Sequence, residues 1–178
     1  MDHLKKDIIE LTRCSVEDYR RLRKLPVAVL LDNVRSMYNV GSVFRTADAF
    51  LIDSVILGGI TGCPPHPEIK KTALGAEDSV KWIHADDSLE ATLTLKEEGW
   101  KICVLEQAHN SIPLQKFSYM EGEKLLLVAG NEVTGVDQRI LDISDYVLEI
   151  PQHGVKHSLN VSVSVGIALW QIVKNITL

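Results

Sequence analysis

The sequence predicts an α/β fold, a mostly parallel sheet with helices on both faces, and three observations predict it. Six short apolar runs recur along the chain, segments of helical character separate them, and most of the runs are continuous rather than alternating. A strand that is apolar on both sides is one covered on both faces, as parallel strands are when crossover helices flank the sheet.

In chain order, residues 27–31, 54–57, 80–83, 100–105, 125–129 and 146–150 read as strands. Residues 40–50, 67–74, 88–98 and 138–143 read as the helices between them. Ahead of the first strand, an amphipathic helical segment runs into the basic stretch Arg20-Arg21-Leu22-Arg23-Lys24 and ends at Pro26. This divides the chain into a helical extension over 1–25 and a main domain over 26–178. The last segment, SLNVSVSVGIALWQIVKNI, satisfies two patterns at once. Leu159, Val161, Val163, Val165 and Ile167 alternate like a strand, whereas Leu159, Val163, Gly166, Ile167 and Trp170 share a helical face. Local propensity favours the strand.

A length of 178 residues suits one core that folds without staples. With 46% hydrophobic and 24% charged residues, the composition excludes a disordered chain. No apolar run is long enough to span a bilayer, and the N-terminus lacks the continuous apolar stretch of a secretory signal, so a cytoplasmic location is expected. Cys14, Cys63 and Cys103 are too widely spaced for a disulfide framework or a thiolate zinc site, and read as reduced thiols, packed or half-buried. A net charge of -5 argues against a protein that coats nucleic acid electrostatically.

Ligands of open α/β sheets bind beyond the carboxyl ends of the strands, and three loops at such ends carry unusual residues. The first places Asn39 at a helix start, then Gly41, which permits close backbone approach, then Arg45 on an otherwise apolar helix. A guanidinium there either snorkels to water or meets an anion, and its fork suits phosphate. The second loop, Gly130-Asn131-Glu132-Val133-Thr134-Gly135, has neither dinucleotide-fingerprint nor P-loop spacing, and a plain turn does not explain Glu132. The third runs from Ile150-Pro151 through Gly154 to Ser158-Leu159-Asn160. Ser158 reads as a helix N-cap, and Asn160, just inside an apolar helix, needs a hydrogen-bonding task. His153 and His157 are four apart, but Pro151 and Gly154 make that stretch a loop, so no metal is expected.

In combination, NVGSVFRTADAF, LLLVAGNEVTGV and LEIPQHGVKHSLNVSVSVGIAL resemble the three signature motifs of the SpoU/TrmH branch of the SPOUT methyltransferases. The resemblance implies a C-terminal deep trefoil knot, S-adenosyl-L-methionine as cofactor, an RNA substrate methylated on a ribose 2'-hydroxyl, and a homodimer whose sites are completed by the partner. It also implies that the ambiguous last segment is a helix. Residue by residue, it assigns catalytic roles to Asn39, Arg45, Glu132, Ser158 and Asn160. It assigns backbone contacts with the cofactor to Leu105, Gly130, Ile150 and Leu159. The sequence departs from the motif at Val133, where such proteins often carry glycine.

Methyl transfer from a sulfonium to a 2'-oxygen needs alignment and loss of the hydroxyl proton, and no metal. A guanidinium with a pKa above about 12 is a poor base. Arg45 is therefore expected to grip the phosphate beside the target ribose, held by Glu132 and Asn39, while Ser158 and Asn160 orient the sugar. Transfer RNA is favoured over ribosomal RNA, and the basic segment 20–24 either contacts that RNA or is a solvated helix face. An inactive RNA-binding protein and a base-directed methyltransferase are the alternatives.

Overall fold

The computed structural model describes residues 3–7 and 14–176. Seven parallel-paired strands form one sheet: β1 (Leu25–Asp32), β2 (Ile52–Gly58), β3 (Lys81–Ala85), β4 (Lys101–Leu105), β5 (Ile112–Pro113), β6 (Leu125–Ala129) and β7 (Tyr146–Glu149), in the order β3-β2-β1-β6-β4-β7-β5. The helices are α1 (Val16–Arg21), α2 (Met37–Ala49), α3 (Pro67–Ala73), α4 (Ala76–Ser79), α5 (Ser88–Glu97), α6 (Gln138–Asp142) and α7 (Val161–Val173).

The continuous apolar runs have a direct physical reading here. Val27, Val29 and Leu31 of β1 face one core with Leu125 and Leu127 of β6, Cys103 of β4, and the apolar faces of α2, α3 and α7. Ala28 and Leu30 face a second core with Leu126, Val128, Ile102 and Val104, closed by residues of α5 and α6. Successive side chains alternate between faces, so a central strand must be apolar at every position. The strand at 80–83 departs from this expectation, because β3 is the sheet's edge and Ile83 is exposed. Sequence order does not reveal which strand ends up outermost. The strand order and the packing of α7 on α2 are compatible with the threaded C-terminus that the resemblance implies.

At the N-terminus, much of the expected amphipathic helix falls on residues 8–13, which lie outside the described residues, and residues 3–7 are not helical. The helix that forms, α1, starts later at an N-cap Ser15 and takes Arg20 and Arg21 into its last turn. Tyr19 is buried in the same core as the sheet, and its hydroxyl donates to the Asp48 carbonyl at 3.3 Å. Pro26 falls inside β1 rather than ahead of it, beside an irregularity in the pairing of Leu25 and Ala28 with β2. Of the cysteines, Cys103 is buried and Cys63 half-buried, but Cys14, ahead of α1, is exposed rather than packed.

The C-terminal segment is a helix, and its buried face differs from the expected one. Val161, Val165, Ala168, Leu169, Ile172 and Val173 are buried, while Val163, Ile167 and Trp170 point outward. The strand pattern loses because packing against α2 buries a whole helical stripe, which outweighs a propensity difference of roughly 1 kcal/mol.

Candidate functional site

The carboxyl ends of β4, β6 and β7 and the irregular segment 150–160 enclose a cleft of about 560 Å³. Leu105, Gly130, Ile150 and Leu159 line it, as do Glu132, Ser158 and Asn160. Seven of the nine residues singled out in the sequence thus meet at one place. Asn39 joins them through its side chain, whereas Arg45 is not part of the lining.

A hydrogen-bond chain ties the three sequence-distant loops together. Asn160 is itself the N-cap of α7, so the expectation that Ser158 caps and Asn160 sits inside the helix is corrected. Its Oδ1 accepts from the Ser162 and Val163 N–H groups at 2.9 and 3.4 Å and from the Ser162 hydroxyl at 2.7 Å. That leaves Nδ2 to donate to Asn39 Oδ1 at 3.0 Å. Asn39 must then turn its own Nδ2 to Glu132 Oε1, at 2.9 Å. Glu132 also accepts from the Arg35 and Ser36 N–H groups at 3.1 and 3.2 Å. One capping requirement therefore orients two amides, and the last acceptor must be a carboxylate.

Burial alone would raise the Glu132 pKa, but the donated bonds from the Arg35, Asn39 and Ser36 groups outweigh it and hold the carboxyl below its ordinary range. The carboxylate is spoken for by Asn39 and the start of α2. Within one chain, therefore, Glu132 and Asn39 do not hold Arg45. Arg45 lies on α2 about 9 Å along the axis from Asn39, at 1.5 Å per residue. It is exposed and makes no hydrogen bond or ion pair among the described residues.

The glycines explain how the second loop folds. A side chain on Gly130 would collide with the backbone of Gly135 and Val136, where the turn closes through the bridge between Asn131 and Gly135. Asn131 Oδ1 accepts from the Val133 and Thr134 N–H groups at 2.8 and 3.1 Å, while its Nδ2 donates to the Asn33 carbonyl at 2.7 Å. The left-handed residue of the turn is Gly135, with φ 71°, so Val133 in place of the usual glycine costs no backbone strain. Gly41, in turn, lets α3 approach: a Cβ there would meet Thr72 and the α3 backbone.

Sequence reasoning missed Glu106 and Gln107. Glu106 accepts from the Val136 N–H at 3.1 Å and from the Gln107 N–H at 2.8 Å, and Gln107 Nε2 donates to the His157 carbonyl at 2.7 Å. They fasten the two loops that wall the cleft to the end of β4. Inspecting every strand end, rather than only those followed by glycines, would have found them. The basic segment 20–24 lies at the other end of β1, about 23 Å from the cleft at 3.3 Å per residue. There Arg20 donates to the Asp78 carbonyl at 2.6 Å, and the Lys24 ammonium sits 3.1 Å from the centre of the Tyr19 ring. Among the described residues no group of three or more His, Cys, Asp or Glu could hold a metal ion, and no helix is long and apolar enough to cross a membrane.

The family model described as the SpoU rRNA Methylase family matches residues 26–170. The chain belongs to this family. Among curated SpoU relatives, it is 30% identical over 155 residues to a tRNA (guanosine(18)-2'-O)-methyltransferase of Aquifex aeolicus, covering 84% of this chain and 69% of that one. It is 28% identical to a 23S rRNA (guanosine-2'-O-)-methyltransferase of Vibrio parahaemolyticus, covering 93% and 66% respectively. The chain thus spans about two thirds of the length of these relatives. Among solved structures, an AdoMet-bound rRNA methyltransferase from Sinorhizobium meliloti superposes with a TM-score of 0.80 at 25% identity, over 89% of this chain and 60% of that one. The SpoU fold and the mostly parallel sheet expected from the sequence are therefore both present.

Proposed function

We propose that this SpoU chain transfers a methyl group from S-adenosyl-L-methionine to a ribose 2'-hydroxyl of structured RNA, with transfer RNA favoured. The observation that carries the reading is the convergence of Asn39, Glu132 and Asn160 at the rim of the cleft that Leu105, Gly130, Ile150 and Leu159 line. The cleft's chemistry fits the cofactor. Leu105, Leu148, Ile150, Leu159 and Val161 offer apolar walls for an adenosyl group, and Glu106 and Glu132 supply negative charge toward a cationic sulfonium. When bound, the cofactor supplies an electrophilic methyl group.

The chain's own residues do the rest. Ser158 lines the cleft, its hydroxyl without a hydrogen-bond partner among the described residues, and it orients the ribose. Asn39, Glu132 and Asn160 hold the rim rigid, so little reorganisation is needed when RNA binds. Arg45 grips the phosphate beside the target, which lowers the pKa of the hydroxyl, and a phosphate oxygen or water takes the proton. Relatives named for tRNA and for 23S rRNA both support an RNA substrate.

The test is incubation with donor and either unfractionated transfer RNA or 23S ribosomal RNA, followed by digestion and mass spectrometry of nucleosides. We expect 2'-O-methylated nucleosides in the transfer RNA arm. Methyl groups on bases, or calorimetry showing no donor binding, would overturn the reading.

The chain acts as a homodimer in this reading. Val163, Ile167 and Trp170 form an exposed apolar stripe on α7, extended by Phe50, whose ring centre is 6.1 Å from that of Trp170. Arg45 projects from the neighbouring α2, so a second copy on this face brings the guanidinium that each cleft lacks on its own. Sedimentation should show a dimer that Trp170→Glu converts to a monomer of greatly reduced activity; a fully active Trp170→Glu dimer would exclude this interface.

A further inference from the structure

Tyr38 has no task in the arrangement described so far, although two hydroxyls hold its backbone carbonyl. It precedes Asn39 in the first turn of α2, and its carbonyl accepts from the Ser42 hydroxyl at 2.8 Å and from the Thr72 hydroxyl of α3 at 2.9 Å. The residue is 42% exposed, and its hydroxyl has no partner among the described residues. The Lys71 ammonium lies 5.8 Å from the ring centre. A rigidly mounted aromatic ring left open to solvent, with a cation beside it, requires an explanation.

The surrounding charges point the same way. Arg35, Arg45, Lys70 and Lys71 are exposed and form no ion pair among the described residues, with Glu68 the one carboxylate on α3. Some cations elsewhere are occupied, since Lys96 and Lys101 meet Asp145, Arg139 meets Asp137, and Arg20 and Lys24 bind backbone carbonyls, whereas Arg21, Arg23, Lys81, Lys116 and Lys156 form no ion pair among the described residues. On a chain of net charge -5, the ring of Tyr38 thus lies on a pair of helices that carry or adjoin four cations without an ion pair among the described residues. Tyr38, Ser42 and Arg45 follow one stripe of α2 at i, i+4 and i+7, which places the ring on the same side as the guanidinium and about 10 Å from it along the axis.

We propose that Tyr38, flanked by Lys71, is a stacking platform for an unpaired base of the RNA beside the methylated nucleotide; this rests on the reading of the chain as an RNA methyltransferase. An aromatic face takes a base, and the ring of cations takes the flanking phosphates. A protein partner is the less fitting occupant, since lysine is depleted where protein interfaces are buried. The platform splays the nucleotide next to the target, so that the ribose enters the cleft with its 2'-oxygen accessible.

The experiment measures binding of a fluorescein-labelled ten-nucleotide oligouridylate, and of the same oligomer made entirely abasic, to the wild type and to Tyr38→Ala, Tyr38→Phe and Lys71→Gln, with S-adenosylmethionine affinity followed by calorimetry. Tyr38→Ala should weaken the intact oligomer about 5- to 150-fold. It should leave the abasic oligomer and the cofactor unaffected, and Tyr38→Phe should bind as the wild type does. Lys71→Gln should weaken both oligomers and lower the salt slope by about 0.7. Equal binding of the intact oligomer by Tyr38→Ala and wild type, an equal loss on both oligomers, or a changed sedimentation mass would overturn the proposal, the last by making Tyr38 a dimer contact. A wild type that binds bases through Tyr38 yet methylates no RNA would instead refute the proposed function, so the two failures are distinct.

Discussion

Arg45→Lys is expected to lower kcat by about 100-fold or more, the scale on which loss of one well-aimed donor to developing charge is felt. Donor affinity and thermal stability should not change, because Arg45 is exposed, makes no hydrogen bond or ion pair among the described residues and does not line the cleft. Lysine keeps the charge but loses the planar fork that engages two phosphate oxygens together. Steady-state kinetics on the methylated RNA, with calorimetry for the cofactor, separates these quantities. Near-normal turnover by Arg45→Lys would remove the arginine from the mechanism.

The second large effect belongs to Glu132→Gln. A glutamine that keeps its carbonyl oxygen on Asn39 and the Ser36 N–H must turn its amide N–H toward the Arg35 N–H, which now donates to the other carboxylate oxygen. Donor would face donor, and the Asn39 and Asn160 amides would lose their fixed orientation. The stability cost is about 1 kcal/mol, at the low end for such a loss, because solvent reaches the carboxylate. Activity should fall about 10- to 100-fold, since the rim that positions the ribose loosens. The pH dependence has a definite sign. Because folding lowers the Glu132 pKa, its contribution is fully present above the ordinary carboxylate range and is lost as pH falls through the lowered value. Thermal denaturation should therefore separate wild type from Glu132→Gln at pH 7, and the gap should close in strong acid. A constant gap from pH 7 down to pH 2, or full activity in the variant, would show that the carboxylate does not hold the rim.

Much of this site was legible in the sequence, and the reasons differ from residue to residue. Glu132 stood out because a plain turn has no use for an acid at a buried strand's end. Asn160 stood out because an amide beside an apolar helix needs partners. The partners themselves were not legible: that Asn160 caps α7 and passes its remaining donor to Asn39 depends on residues 121 positions apart in the chain returning to one point. Arg45 was visible as an oddity on its helix, but its lack of any contact with Glu132 is a matter of which stripe of α2 faces the cleft. Glu106 and Gln107 gave no local signal beyond following a strand.

The amino-acid order by itself determined the α/β class, the central strands and the three loops at their ends. These follow from short-range rules: side chains alternate across a strand, helices repeat every 3.6 residues, and turns need glycine or asparagine. Only the tertiary structure decided that β3 lies at an edge, that the C-terminal segment coils rather than extends, and which of its faces is buried. Those outcomes depend on which surfaces are covered, and burial is a property of the assembled layers rather than of any segment within them.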